Sequence, residues 1–157
     1  MPINPYITFE ISSNCNLRCT YCSQKNPSMN ERGDMDFEKF SIFLEDLADG
    51  DCIFENINLF FRGESLVHRE FPKFVQKIME INEIREILKF MVIHTNALLF
   101  NDENIEVLLD GYSQRSLPYC GNMVVSIDAS AEETYRNLRG GSLAVARENI
   151  IQFLKER

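Results

Sequence analysis

Short runs of β-branched and aromatic residues alternate four times with longer segments in which apolar residues recur at helical spacing. The short runs predict strands over residues 6–11, 57–61, 90–94 and 123–127. A strand followed by a helix, repeated along the chain, is typical of βαβ units and a parallel sheet. The pattern therefore predicts an α/β fold built from about four (β/α) units.

Capping residues predict where the first three helices begin and end. The first helix is predicted to begin at about Asp36 and to end at Gly50. The second carries Pro72 in its first turn, a position that proline favours. The third is predicted to lie between Asn101 as N-cap and Gly111 as its stop.

The segment after the fourth predicted strand begins with a Ser and a Glu three residues apart. Ser130 and Glu133 predict a capping box, in which each side chain bonds the backbone N–H of the other. Gly140 and Gly141 interrupt the helix, and Ser142 is predicted to cap a further one. We therefore expect two helices after this strand.

Length limits how much of a barrel these units can form. The chain has 157 residues, 45% of them hydrophobic and 25% charged, which is the composition of one globular domain. A complete (β/α)8 barrel takes about 250 residues. We therefore expect residues 1–157 to form a single domain with an incomplete, partial TIM-type barrel, whose first and fourth strands are sheet edges.

Charge and hydropathy exclude two classes of partner. The 24 acidic residues outnumber the 16 basic ones, so the net charge of -8 has the wrong sign for binding phosphates of nucleic acid. No apolar run approaches the roughly 18 residues of a membrane span, and the N-terminus has no signal-peptide pattern. We expect no nucleic-acid partner, no membrane partner and a cytoplasmic location.

Three of the five cysteines lie close together in the loop after the first predicted strand. Cys15, Cys19 and Cys22 have the spacing C-x3-C-x2-C, which in a reducing compartment indicates metal ligands before disulfides. A structural zinc site or a four-cysteine [4Fe–4S] site would need a fourth ligand, and none is obvious. Three thiolates suit a [4Fe–4S] cluster with one iron open to a non-protein ligand. The alternatives are buried thiols or a zinc knuckle, and Cys52 and Cys120 are interpreted as packing residues.

With Tyr21 before the third cysteine, this loop resembles the signature of the radical S-adenosylmethionine (radical SAM) superfamily, C-x3-C-x-aromatic-C after the first barrel strand. Further segments are similar to the family's Gly-Gly-Glu-Pro, Thr-Asn-Gly, and Ser-x-Asp-Gly with Arg-Gly motifs, respectively Arg62-Gly63-Glu64-Ser65-Leu66, Thr95-Asn96-Ala97, and Ser126-Ile127-Asp128-Ala129 with Arg139-Gly140. The last pattern is common in members that carry a C-terminal auxiliary cluster domain, often called SPASM. The resemblance covers nearly the whole chain.

The resemblance implies an enzyme that contains the N-terminal half of a radical SAM barrel. Cys15, Cys19 and Cys22 would bind a [4Fe–4S] cluster whose fourth iron binds S-adenosylmethionine. Reductive cleavage of S-adenosylmethionine would give a 5′-deoxyadenosyl radical that abstracts a hydrogen from an unidentified substrate, a peptide, protein or small molecule. The residues implied in cofactor binding are Tyr21, Gly63, Glu64, Thr95, Asn96, Ser126, Asp128 and Arg139. A reductant such as flavodoxin or ferredoxin is the implied partner.

Two positions depart from the family pattern. Arg62 replaces the first glycine of Gly-Gly-Glu, so the backbone there loses conformational freedom. Ala97 replaces the glycine after Thr95-Asn96, which indicates that no positive φ is needed at that position.

The candidate residues also have structural explanations. Glu64 is alternatively a surface carboxylate, Ser126 and Asp128 caps of the following turn, and Arg139 a solvated charge at a helix end. For the whole chain, the alternative to an enzyme is a non-catalytic Fe–S, zinc or interaction fragment that a C-terminal domain or partner chain completes. An isolated segment is expected to bind a cluster but to be a poor catalyst.

Overall fold

A computed structural model of the chain describes residues 3–25, 32–50, 53–113 and 122–157. Cys52 and Cys120, interpreted from the sequence as packing residues, lie outside these ranges. None of the helices within the described ranges is long and apolar enough to cross a membrane.

Among the described residues, four strands form one parallel sheet in the order β1-β2-β3-β4. They are β1 (Ile3–Thr8), β2 (Ile53–Asn58), β3 (Leu88–Thr95) and β4 (Asn122–Val125). The pairing register places Ile7 beside Ile57 and Ile57 beside Met91. The predicted parallel α/β sheet is confirmed, and β1 and β4 are its outer strands among the described residues.

The first two strands end earlier than their apolar runs predict. After β1 the last bond of the ladder is Phe9 N–H to the carbonyl of Asn58, 2.9 Å. Phe9, Ile11 and Leu59 are buried although they lie beyond the strands. The apolar runs in the sequence therefore continue into the loops, where the residues are buried although they are no longer part of the strands.

Within the described ranges, five α-helices follow the strands, and most of the predicted caps are present. They are α1 (Phe37–Asp49), α2 (Phe71–Arg85), α3 (Asp102–Ser113), α4 (Glu132–Arg139) and α5 (Leu143–Glu156). The side chains of Asp36, Asn101 and Ser142 each accept a backbone N–H from the first turn of α1, α3 and α5. Gly140, with φ of 80°, ends α4 in the left-handed region.

Two boundary predictions are wrong. The helix α3 continues through Gly111 to Ser113, because a helix interior tolerates one glycine at a cost of about 1 kcal/mol. Ser130 does not cap α4, whose N-cap is Ala131 without a side-chain bond. Instead, the carboxylate of Glu132 accepts the N–H of Ala144, 3.0 Å away at the start of α5. Glu132, which precedes the Glu133 of the predicted box, therefore stabilises the neighbouring helix.

The two faces of the sheet differ in polarity. One face packs on the helices through a buried cluster that includes Ile57, Leu59, Met91 and Ile93 with Phe40, Leu44, Phe74, Ile78, Ile105 and Leu108. Alternation turns Asn58 to the opposite face, where its amide donates to Thr8 Oγ1 at 3.0 Å. The rings of Phe60 and His94 stack 3.6 Å apart at the carboxyl ends of β2 and β3. The predicted motifs follow the carboxyl ends of strands whose sheet packs on the helices through one face.

Candidate cofactor site

The cysteine loop, residues 9–25, leaves the carboxyl end of β1 and carries the three clustered cysteines. Cys19 is buried, Cys15 and Cys22 are partly buried, and all three are free thiols. The sulfur of Cys15 accepts the N–H of Leu17 and that of Cys22 accepts the N–H of Gln24, each at 3.4 Å. Backbone N–H groups that point at sulfur stabilise a thiolate and are typical of iron–sulfur sites.

Charges on Glu64 and on the other two thiols affect the pKa of Cys15. Burial raises the pKa of Cys15, the N–H of Leu17 lowers it, and negative charge on Glu64, Cys19 and Cys22 raises it further. These like charges act on Cys15 from nearby, so the structure brings Glu64 to the cysteine loop.

A segment before α1 fastens one side of the cysteine loop. The carboxylate of Asp34 accepts the Ser12 hydroxyl at 2.7 Å and the Asn14 amide at 3.0 Å. The pKa of Asp34 is lowered, first by the hydrogen bond from Ser12 and also by that from Asn14. The backbone of the two segments is joined by Met35 N–H to the carbonyl of Ile11, 2.8 Å.

The loop after β2 fastens another side at Gly63. A Cβ on Gly63 would lie 2.0 Å from the carbonyl oxygen of Ser12, so only glycine allows the two loops to touch. Next to it, the N–H of Glu64 donates to the carbonyl of Asn14 at 2.8 Å. Sequence reasoning did not predict this close approach between loops.

Arg62, which replaces a family glycine, does not adopt a positive φ. Its backbone N–H and its guanidinium both donate to the Glu10 carboxylate, at 2.8 and 3.1 Å. The conformational freedom of a glycine is therefore not needed at Arg62 in this loop conformation. Glu10 was not a predicted site residue, and nothing in its local sequence indicates this pairing.

Glu64 links the ends of β2 and β3. Only 4% of it is exposed, so it is not a surface carboxylate. One carboxylate oxygen accepts the Thr95 hydroxyl and the other accepts the N–H of Asn96, each at 2.8 Å. Burial raises the pKa of Glu64, whereas the bonds from Asn96 and Thr95 lower it. Three of the predicted site residues are thus directly bonded to one another.

The turn at Ala97 corrects a prediction. Ala97 has a φ of 61°, in the left-handed region that the sequence indicated was not needed. The Thr95 hydroxyl accepts its N–H at 3.0 Å and the Asn149 amide donates to its carbonyl at 2.8 Å. These bonds hold a conformation that costs an L-residue roughly 1–2 kcal/mol. The Asn96 amide in the same turn donates to Asn16 in the cysteine loop at 2.7 Å.

Three more predicted residues meet after β4. The carboxylate of Asp128 accepts hydrogen bonds from the Tyr21 hydroxyl and from the Arg139 guanidinium, and its φ is 55°. The bond from Tyr21, and then the charge of Arg139, lower the pKa of Asp128. Burial and the bond to Asp128 raise the pKa of Tyr21. The Asp128 side chain is therefore engaged with the cysteine loop and α4.

Arg139 is 7% exposed and so is not a solvated charge at a helix end. Burial lowers its pKa, but negative charge on Cys19, Tyr21 and Asp128 outweighs this and raises it. Its carbonyl accepts the N–H of Arg18 at 3.4 Å and lies 3.9 Å from the sulfur of Cys19. The end of α4 therefore packs directly on the cysteine loop.

Ser126 is also close to this set through the backbone. Its N–H donates to the carbonyl of Thr95 at 2.9 Å, so the residues after β3 and β4 are adjacent. The predicted site residues from all four (β/α) units thus meet at one edge of the sheet.

Comparison with protein families shows the family to which a chain with this site belongs. The family model described as the Radical SAM superfamily matches residues 9–157. The chain belongs to this superfamily. The resemblance drawn from the cysteine motif is thereby confirmed.

Two curated relatives are similar to parts of this radical SAM chain. The tungsten-containing aldehyde ferredoxin oxidoreductase cofactor-modifying protein of Pyrococcus furiosus is 32% identical over 127 residues, 76% of this chain and 33% of the relative. A GTP 3′,8-cyclase of Clostridium botulinum is 24% identical over 139 residues, 88% of this chain and 40% of the relative. The chain thus spans 33% and 40% of the lengths of these relatives.

Solved structures show the same fold. The protein anSMEcpe with bound AdoMet and a peptide has a TM-score of 0.69 at 20% identity, covering 99% of this chain and 40% of that one. BtrN in complex with AdoMet and 2-DOIA has a TM-score of 0.64 at 23% identity, covering 85% and 49%. The four (β/α) units are therefore part of a radical SAM barrel of the TIM type, as the sequence predicted.

Superfamily membership brings a [4Fe–4S] cluster and S-adenosylmethionine as cofactors. The donor set fits the cluster, because three thiolates, two of them with N–H···S contacts, are the soft ligands that iron–sulfur clusters take. Within the described ranges, no group of three His, Cys, Asp or Glu side chains is arranged to hold a metal ion. A cluster binds each thiolate on a separate iron, so its ligands do not need to converge as those of one ion do.

Proposed function

We propose that this chain is the cofactor-binding part of a radical SAM enzyme, in which Cys15, Cys19 and Cys22 bind a [4Fe–4S] cluster. The observation that carries the proposal is the fastening of the cysteine loop to the ends of the other (β/α) units. Glu64 bonds the loop backbone at Asn14, and Asn96 bonds Asn16. A loop held from several sides is suited to a cluster that must meet a second cofactor in one geometry.

When bound, the cluster would supply the electron for reductive cleavage of S-adenosylmethionine to methionine and the 5′-deoxyadenosyl radical, which abstracts a substrate hydrogen. The chain itself would position the reactants and exclude water. The oxygen of Glu64 that accepts the Thr95 hydroxyl also accepts the N–H of Leu66, whereas the oxygen that accepts the N–H of Asn96 keeps a second lone pair for a further donor. Glu64 is the group that we assign to the amino group of the methionine moiety.

The remaining cofactor assignments follow the residues that the sequence singled out. They are Tyr21, Gly63, Thr95, Asn96, Ser126, Asp128 and Arg139. Their support is adjacency, since they lie in loops that bond each other at the carboxyl ends of the strands. This is the face on which TIM-type barrels carry their active sites.

The relatives are longer than this chain, which covers 33% and 40% of them. We propose that residues 1–157 are one domain, the N-terminal part of a barrel that a C-terminal domain or partner chain completes. The reductant would be a flavodoxin or ferredoxin. By their names, the relatives act on a cofactor and on GTP, and the solved structures contain a peptide and 2-DOIA. We propose that the substrate of this chain is a peptide, a protein or a small molecule.

Anaerobic reconstitution with iron and sulfide tests the proposal. We expect an oxygen-labile [4Fe–4S] cluster, measured by iron and sulfide content, visible absorption and the EPR spectrum after reduction. S-adenosylmethionine should perturb that EPR spectrum. Cys15→Ser, Cys19→Ser and Cys22→Ser should each lose the cluster, whereas Cys52→Ser and Cys120→Ser, outside the motif, should keep it.

Two results would contradict the proposal. A stable, colourless zinc protein would favour the non-catalytic metal-binding alternative. A cluster whose EPR spectrum does not change with S-adenosylmethionine would show that no iron is open to that cofactor.

A further inference from the structure

An ion pair between a buried cation and an exposed carboxylate lies against the cysteine loop. The guanidinium of Arg139 donates to the carboxylate of Asp128, which also accepts the hydroxyl of Tyr21, a residue between two of the cysteines. The sulfur of Cys19 is 3.9 Å from the carbonyl of Arg139. The backbone of Arg139 and the side chain of Tyr21, two residues after Cys19, therefore place the pair beside the loop that carries one of the three proposed cluster ligands.

The two charges are screened unequally. The Arg139 side chain is 8% exposed and the Asp128 side chain is 42% exposed. Water screens an exposed charge far more than a buried one, so the positive charge acts more strongly on its surroundings than the negative one. The buried Nε–H of Arg139 also has no hydrogen-bond partner among the described residues. One donor of the cation is thus not satisfied by the described residues around it.

We propose that the Arg139–Asp128 pair sets the reduction potential of the cluster bound through Cys19. The proposal rests on the proposed function. Taking one electron from a flavodoxin-type or ferredoxin-type donor makes the cluster site more negative by one charge. A nearby positive charge stabilises the reduced state and raises the potential, and a nearby negative charge lowers it. Arg139 is then a positioning residue that acts through its charge, and Asp128 moderates it.

The side-chain charge can be separated from the contacts that hold the loop. Arg139 bonds Arg18 through its backbone carbonyl, which a side-chain substitution leaves in place. Thr20 likewise donates its N–H to the carbonyl of Leu138 at 2.8 Å. Substitution of either charged side chain therefore changes the field at Cys19 while these backbone contacts remain.

Redox titration of the reconstituted protein, followed by EPR without S-adenosylmethionine, tests the proposal. Arg139→Gln should shift the cluster potential to a more negative value, and Asp128→Asn should shift it to a more positive one. The double variant should lie between the two single variants. Arg139→Lys, which keeps the charge, should stay near wild type. The exposed Arg136 and Glu133 of the same helix provide matched controls, and Arg136→Gln and Glu133→Gln should leave the potential unchanged.

If the cluster potential shifts in the same direction in Arg139→Gln and Asp128→Asn, the proposal is overturned. Such a result would show that both substitutions disturb the loop, whichever charge they remove. Unchanged potentials would overturn it as well. If Arg139→Gln does not assemble a cluster, Asp128→Asn and Arg139→Lys still test the proposal. A cluster potential that does not rise in Asp128→Asn, or that departs from wild type in Arg139→Lys, refutes it. Failure of the wild-type chain to assemble any cluster would instead refute the proposed function.

Discussion

Gly63 is the residue at which the cysteine loop and the loop after β2 come into contact. No side chain can be accommodated there, because the site of its Cβ is 2.0 Å from the carbonyl oxygen of Ser12 and 2.7 Å from that of Asn14. The obstacle is backbone, which cannot turn aside as a flexible side chain can. The position of Glu64, one residue further on, depends on this contact.

Gly63→Ala should lower the free energy of unfolding by about 3 kcal/mol, the upper part of the range for overpacking. It should also reduce iron loading, because the cysteine loop must move. Gly33→Ala is the matched control, since its Cβ would have no atom within 4 Å and its φ is not positive. Urea unfolding and iron content measure the difference. Equal stabilities of the two variants would show that the loops do not touch as described.

The segment that joins the cysteine loop to α1 is an element whose stability should depend on pH. Asp34 accepts bonds from Ser12 and Asn14, and these lower its pKa in the folded protein. A carboxyl with a lowered folded pKa stabilises the native state above its unfolded pKa, near 3.9 for aspartate, and loses this effect as the pH falls through the folded value. The fastening of the loop should therefore weaken in acid.

Asp34→Asn should be less stable than wild type at neutral pH, because an amide oxygen accepts these bonds more weakly than a carboxylate does. The difference should shrink as the pH falls below about 4, where the carboxyl of the unfolded wild-type chain begins to protonate, and should disappear below the lower pKa of the folded protein. Free energies of unfolding by urea across this pH range measure the effect. A difference that stays constant with pH would contradict the role assigned to the Asp34 charge.

At the scale of the whole molecule, the cysteine loop connects the first (β/α) unit to the last. Its residues bond Leu138 and Arg139 at the end of α4, and Leu17 packs close to Gly141. A ligand that binds only the folded loop stabilises the native state by mass action. Cluster binding should therefore stabilise the whole sheet and not only the loop.

Removal of the cluster by an iron chelator under anaerobic conditions should lower the melting temperature by roughly 5 °C or more. This estimate takes a cluster bound about a hundredfold above its dissociation constant and the usual entropy of unfolding for this size. Differential scanning calorimetry measures the change. Cys19→Ser should melt at the same temperature with and without the chelator, and a chelator effect in that variant would mean that the metal stabilises the protein elsewhere.

The sequence by itself determined the order of elements, the parallel sheet and the location of the candidate site. Each depends on short-range information: apolar periodicity shows strands and helices, and Cys15, Cys19 and Cys22 lie within eight consecutive residues. Most caps were predicted for the same reason, since Asp36 and Asn101 bond N–H groups three residues away. The superfamily followed from motifs that occupy the loop after each strand.

Only the tertiary structure decided which of these groups bond each other. Asp128 meets Tyr21 across 107 positions of sequence, and Thr95 meets Glu64 across 31, distances at which local pattern carries no information. The positive φ of Ala97 is held by the bond of its N–H to Thr95 and by the bond of its carbonyl to Asn149, and Ser130 fails as a cap although its spacing is correct. Strand ends, backbone strain and partners depend on how packed elements are placed in space, because a local conformation is kept only where its neighbours satisfy its polar groups.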